Sequence, residues 1–369
     1  MNFRILLLIA CLICSTNVIG QVKVKMGGRL YLDAGCYVGA PEHFSTVGEI
    51  TDVRITSKVS LGDDWRGKID VSFANNEVKM KDVFIEKALK SHYFRMGHMY
   101  GMFSIDQSNS SNDFLFMTPA LVANMFAPSR RVGVSYTYAG TCNYFSMGAF
   151  MGDKLHFDKE IKQGSNFTCR FVYHPFIEKG KLLHVGVGVF FRKPDLLVNE
   201  TEYMLDLSTK GNTKLSSPDV FDFHLSHFNN EFQWNVEMLG QLNRFFVQSE
   251  YMQMLVKRNG VSNYLAHGGY LEGGIVLKGG HLDYNKIDAL PISPKIPGSL
   301  LLFTRVSITD LNHGVELGGK VKDIAWGINY YLTQHLIFRI NYSHQWADAQ
   351  TTIGHVNWGV LQGRIQLRF

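Results

Sequence analysis

Apolar and polar residues alternate with a period of two along most of this 369-residue chain, and in a β-strand that period separates two faces with different surroundings. The final stretch shows it most plainly. Leu361, Gly363, Ile365, Leu367 and Phe369 fall on one face, and Gln362, Arg364, Gln366 and Arg368 on the other. The same patterning, with turn residues between segments, predicts strands at 29–37, 53–61, 67–73, 80–87, 92–99, 131–138, 143–151, 167–174, 182–192, 232–239, 245–255, 264–277, 301–309, 324–332, 336–345 and the C-terminal segment. That makes a series of sixteen. Two stretches interrupt it: 100–129, where the Ser and Asn run ending in Asp113 cannot be a strand, and 194–222, read as a second long loop.

Soluble sandwiches alternate as well, so the chain's beginning decides between solvents. Met1, Asn2, Phe3 and Arg4 open it, an apolar run continues to Cys14, and Val18-Ile19-Gly20 supplies small residues before Gln21. This predicts a secretory signal peptide over residues 1–20 and a mature chain over 21–369. Leu8-Ile9-Ala10-Cys11 resembles a lipoprotein box, but the apolar core before it is too short. No later uncharged run reaches the about 20 residues that a membrane helix needs. An integral mature chain must then be a closed all-β barrel, because lipid leaves no other way to satisfy backbone groups. The expected fold is a transmembrane antiparallel β-barrel of about sixteen strands. Composition agrees: 26 Phe, 16 Tyr and 35 Gly stand beside only 9 Pro, with a mean hydropathy of −0.05. Lipid-facing and water-facing positions in alternation produce that balance. Tyr330 and Tyr342, near strand ends, suit the aromatic girdles of a membrane interface.

Charge and chemistry refine the picture only a little. The net charge of +5 loses Arg4 with the signal and becomes +4, an anion-favouring balance if the excess lines a narrow channel and a routine surface charge otherwise. Cys36, Cys142 and Cys169 remain after cleavage. One disulfide is possible in an oxidising compartment, and isolated thiols are the preferred reading. No nucleophile elbow, Walker sequence or His-Glu-x-x-His occurs, so no enzyme is predicted. The single pair His281 and Asp283 is read as surface polarity, and neither a metal nor any other cofactor is expected. Basic residues are not interleaved with stacking aromatics, which excludes a nucleic-acid partner.

Gly97-His98-Met99-Tyr100-Gly101-Met102-Phe103-Ser104, then Ser110-Ser111-Asn112-Asp113, Phe116-Met117, and Phe126-Ala127-Pro128-Ser129-Arg130-Arg131-Val132-Gly133 form an ordered set of motifs. With Lys25 to Leu30 and Gln248-Ser249-Glu250-Tyr251, they make the chain resemble the phosphate-selective porin O and P family over nearly all of its mature length. The resemblance implies a sixteen-stranded outer-membrane porin, usually a homotrimer, whose third extracellular loop, here 100–129, folds inward as the constriction. It also implies that Phe369 is read by the barrel-assembly machinery, and that the partners are outer-membrane lipid and small anions or other small solutes.

Family members that select phosphate combine strand arginines with serines and an arginine on the loop. Arg29 matches the first-strand arginine, Arg54 matches the second of a paired Arg-Arg whose first place is Val53, and Ser110 and Ser111 match the serines. The family's Phe-Met-Glu-Arg stands here as Phe116-Met117-Thr118-Pro119, so the loop arginine is missing. Losing one fork-shaped guanidinium weakens oxyanion recognition sharply. The expectation is a general or weakly anion-preferring diffusion pore. Two readings stand for Arg29 and Arg54: a role in permeation, or simply solvation in the lumen or pairing with wall carboxylates. Arg130 and Arg131 either reach the constriction or anchor the returning loop, the latter being preferred. Arg339, Arg364 and Arg368 are expected on the inward face. A surface adhesin or receptor, and an outer-membrane hydrolase, are the alternatives.

Overall fold

The computed structural model describes residues 22–74, 77–152, 161–197 and 203–369; the expected signal peptide lies outside these. Sixteen antiparallel strands close into a barrel, each paired with its sequence neighbour and the last with the first. They are β1 (Val22–Val38), β2 (Val47–Leu61), β3 (Trp65–Ser72), β4 (Lys79–Leu89), β5 (His92–Tyr100), β6 (Arg130–Ala139), β7 (Asn143–Met151), β8 (Ser165–Glu178), β9 (Lys181–Lys193), β10 (Phe228–Leu242), β11 (Phe245–Arg258), β12 (Tyr264–Lys278), β13 (Ser299–His313), β14 (Glu316–Tyr331), β15 (Leu336–Ala347) and β16 (Asn357–Arg368). The predicted strands all have counterparts, several longer by a turn's worth of residues. Alternation marks where lipid and water differ, whereas strand ends beyond the membrane need no apolar face.

The two faces separate as the pattern requires. Leu361, Ile365 and Leu367 of β16 are about two-fifths exposed, while Gln362, Arg364 and Gln366 are buried. In β14 Trp326, Ile328 and Tyr330 point outward and Ala325 and Asn329 inward. The outward band of Ile, Leu, Val and Phe is what a hydrocarbon solvent stabilises, and the closed ladder leaves no sheet edge unpaired within it. The wall is uneven in height: β3 to β7 run 8, 11, 9, 10 and 9 residues, and β10 to β14 run 15, 14, 15, 15 and 16.

Closure is made at β1 and β16, in register from Arg29 with Arg368 to Val38 with Gly359. The seam extends one residue further. Gly28 N donates to Phe369 O at 2.9 Å and Phe369 N donates to Gly28 O at 3.1 Å. A Cβ on Gly28 would lie 2.6 Å from the Phe369 ring and from the Arg54 carbonyl, so only glycine lets the terminal aromatic seat there.

At one end of the barrel the connections are short: 62–64, 90–91, 140–142, 179–180, 243–244 and 332–335. The exception there is 279–298, which contains a two-stranded hairpin of Asp283–Asn285 and Leu290–Ile292. The pattern of alternation gave no sign of it. The opposite end carries the longer loops, including 101–129 with a single helix, α1 (Leu121–Phe126), and 194–227 with a hairpin of Leu205–Thr209 and Phe221–Leu225. The four buried helix residues Leu121, Val122, Ala123 and Phe126 pack with Leu205, Leu207, Val220 and Phe221, so the two long loops share one apolar cluster.

Candidate functional site

The inward side chains of β1, β2, β3 and β16 place arginines and carboxylates alternately around the wall. Arg29 donates from Nε and Nη2 to Asp52 Oδ2 at 3.0 and 2.6 Å. Arg54 meets the other Asp52 oxygen at 3.1 Å and Asp70 at 3.4 Å. Arg364 grips both oxygens of Asp33 with Nε and Nη2, at 2.7 and 2.6 Å. Tyr31 lies between two of these cations, its ring centre 5.1 Å from the Arg29 guanidinium and 4.3 Å from that of Arg364. Charge-assisted pairs of this kind are the stronger class of hydrogen bond. They also cancel charge locally, and a paired arginine attracts a passing anion far less than a free one.

The 101–129 loop is held on the lumen side of the wall through its own backbone. Arg339 donates to the carbonyls of Phe114 and Asn112 at 2.6 and 3.0 Å, Arg305 to Thr118 O at 3.3 Å and Asn329 to Leu115 O at 2.8 Å. Met117 N donates to Asn341 Oδ1 at 2.9 Å, and Tyr31 OH to Asn112 Oδ1 at 2.8 Å. Further along the same arc of wall, on β11, Glu250 accepts from Ile105 N, Asp106 N and Ser104 Oγ at 2.9, 3.2 and 3.0 Å, and from Tyr270 OH at 3.0 Å. A buried loop needs partners for its peptide groups, and these side chains provide them. Asp106 in turn accepts from Ala120 N at 2.7 Å, ahead of α1. Burial pushes the Asp106 carboxyl up from the ordinary carboxylate range, against the opposing pull of Arg305 and that amide.

The 279–298 insert is tied to the same interior. Fully buried Arg170 donates to Glu237 at 2.8 Å and to the carbonyls of Asp288 and Ala289 at 3.0 and 2.9 Å. Arg95 meets Asp288 at 3.0 Å, and His184 bridges Tyr284 OH and Glu237 at 2.8 and 3.0 Å. Ser293 Oγ donates to Asp113 at 2.7 Å, so the insert from one end bonds the loop from the other.

Of the residues expected from sequence, Arg29, Arg54 and Arg364 share one cluster, and Arg339 and Arg368 lie beside the loop; Arg368 reaches Asp113 at 3.6 Å and Ser293 at 3.2 Å. Ser110 is exposed and accepts from Asn112 N at 3.3 Å, and Ser111 is half-buried. Asn112, not either serine, is the loop residue that meets Tyr31. Arg130 pairs with Asp82 at 2.5 Å and stacks 4.0 Å from the Tyr100 ring centre, while Arg131 lies over Phe190 and bonds Ser129 O. Both positions are at the root of the returning loop. His281 and Asp283 stand 3.7 Å apart, no group of three metal-ligating side chains occurs among the described residues, and the three cysteines are free. Sequence reasoning missed Arg170, Arg305 and Lys214, and noted Glu250 only as part of Gln248 to Tyr251.

A closed sixteen-strand barrel with an apolar exterior and an interior lined by paired charges has the architecture of an outer-membrane porin. The model of the phosphate-selective porin O and P family matches residues 24–369, and the chain belongs to that family. Comparison with curated proteins finds no match. Among solved structures, the chain is similar to an anion-selective porin from Comamonas acidovorans, with a TM-score of 0.61 at 10% identity, over 95% of this chain and 100% of that one. The outer membrane channel DcaP of Acinetobacter baumannii gives 0.60 at 13%, over 96% and 99%. OmpT of Vibrio cholerae in its trimer form gives 0.62 at 9%, over 94% and 99%. At these identities the structures show a common fold.

Proposed function

We propose that the protein is a passive pore of the outer membrane, exported behind its signal peptide, that lets small hydrophilic solutes and ions diffuse through a water-filled lumen with a weak preference for anions. It performs no covalent chemistry. The 101–129 loop is the constriction. The observation that carries the reading is that the loop, rooted between β5 and β6, bonds inward side chains on the far arc of the barrel, from Glu250 on β11 to Arg339 and Asn341 on β15 and Arg364 on β16. Tight phosphate selection is disfavoured, because Arg29, Arg54 and Arg364 already hold carboxylates and the loop offers Thr118-Pro119 where the family places Glu-Arg. A phosphate would have to displace Asp52 or Asp33 to take their donors.

A trimer suits the low side of the wall. There the outward residues Ile69, Met80, Ile85, Met96 and Val134 are well exposed, on strands too short to project far beyond the membrane. Single-channel recording in planar bilayers tests the whole reading. Steady conductance, a chloride-to-potassium permeability ratio modestly above one and no block by phosphate are the expected results. Saturating phosphate block would restore the family's selectivity to this chain, and a closed barrel with turnover of an ester or peptide would make it an enzyme.

A further inference from the structure

The segment 211–216 of the second long loop is fixed against the arginine cluster. Gly211, at a φ of +79°, turns the chain beneath Gln345. Asn212 accepts from Arg305 Nη2 at 3.2 Å through its side chain and from Gln362 Nε2 at 2.7 Å through its carbonyl. Thr213 Oγ1 donates to Gln362 Oε1 at 3.1 Å, Leu215 seats over Gly35, and Ser216 N donates to Glu49 Oε2 at 3.0 Å. Five strands therefore determine where Lys214 sits. The charges that reach it most strongly are Arg364, Asp52, Arg29 and Arg54.

Lys214 differs from those arginines in two respects. Arg29, Arg54 and Arg364 each pair with a carboxylate, whereas among the described residues Lys214 has no acidic group within ion-pair distance. Arg29 and Arg364 are also buried, while Lys214 keeps partial contact with solvent. Arg339 likewise lacks a carboxylate, but its guanidinium is spent on loop carbonyls. We propose that Lys214 is the residue that sets the channel's anion preference, supplying from the second loop the free cation that Thr118-Pro119 removes from the first. The proposal rests on the porin reading and narrows it to one ammonium group.

A lysine in that position is open to titration. Partial withdrawal from bulk water, then the positive charges of Arg364, Arg29 and Arg54, push the Lys214 ammonium down to about 7, with Asp52 opposing. Other charged groups of the surrounding elements include Asp33 on β1, Glu49 and Lys58 on β2, Asp70 on β3, Lys81 on β4, Arg305 and Asp310 on β13, Asp323 on β14 and Arg339 on β15, with Lys210 and Asp219 on its own loop. Below that pH the lumen gains a net positive charge beside paired neighbours; above it, the group is neutral and the preference fades. In a narrow low-dielectric passage one such charge changes local ion concentrations by roughly tenfold.

The test is the reversal potential of the full-length channel in a potassium chloride gradient at pH 6 and pH 8.5, for wild type, Lys214→Met and Lys214→Arg. Wild type should lose most of its chloride preference between the two. Lys214→Met should show the low value at both pH values, and Lys214→Arg the high value at both. A wild-type ratio that does not move with pH, or a Lys214→Met channel that titrates as wild type does, overturns the proposal and leaves the porin reading intact. A correctly inserted chain that carries no current overturns both.

Discussion

At the scale of single residues, Glu250 shows how one side chain organises a loop. Its buried carboxyl receives two consecutive backbone N–H groups, a serine hydroxyl and a tyrosine hydroxyl. Glu250→Ala strands those donors, and each buried unsatisfied group costs about 1–3 kcal/mol. The loop should loosen at its start while the barrel stays closed. Hydrogen exchange at the amides of Ile105 and Asp106 should accelerate by more than tenfold, with the strand amides of β11 still protected. Unchanged exchange would mean that the apolar seat of α1 alone holds the loop. The position was visible in the sequence as part of a Gln-Ser-Glu-Tyr strand motif, but its role was not. That role depends on which way the loop returns, and side-chain alternation carries no such information.

At the scale of elements, the strands and both long loops could be read from the chain because their causes are local. A strand between lipid and water must alternate, and a run such as Ser108 to Asp113 cannot. Pairing of Arg29 and Arg54 with wall carboxylates could be offered as an alternative, but which carboxylates was not legible. Arg29 and Asp52 are 23 positions apart, and nothing short of the register says that they face each other. The 279–298 insert escaped for a different reason: its strands are three residues each, too short for a period to appear. It is nonetheless tied to the inner wall and the loop, bonded to Arg170, Arg95, His184 and, through Ser293, to Asp113. Replacing 281–297 by a four-residue turn should raise single-channel conductance at least about twofold, since pore conductance follows the open cross-section. A retained conductance would place the narrowest point wholly at the 101–129 loop. In the same variant Arg170 keeps Glu237, so the wall should fold.

At the scale of the whole molecule, the barrel depends on its seam. Gly28 and Phe369 exchange two backbone bonds, and the ring occupies the space that a side chain at Gly28 would need. Gly28→Val places methyl groups against Phe369 and the Arg54 carbonyl, so the last strand can no longer complete its ladder. The folded fraction that resists unheated detergent electrophoresis should fall by half or more, and Gly28→Ala should fall between the two. If Gly28→Val runs as wild type, the terminal aromatic is not needed for closure.

The ion pairs of the wall have a further consequence, for fidelity of assembly. Arg364 to Asp33, Arg29 to Asp52, Arg54 to Asp70 and Lys68 to Asp82 tie β16, β1, β2, β3 and β4 in succession, and Arg95 continues to Glu86. Sliding any of these strands by one residue turns its whole inward set outward. Each arginine or lysine so displaced would face hydrocarbon, at a cost of about 2–4 kcal/mol near the membrane midplane, and would leave its former partner bare. The rungs thus act as a proofreading device: a misaligned neighbour is rejected by the membrane itself, before any solute has passed.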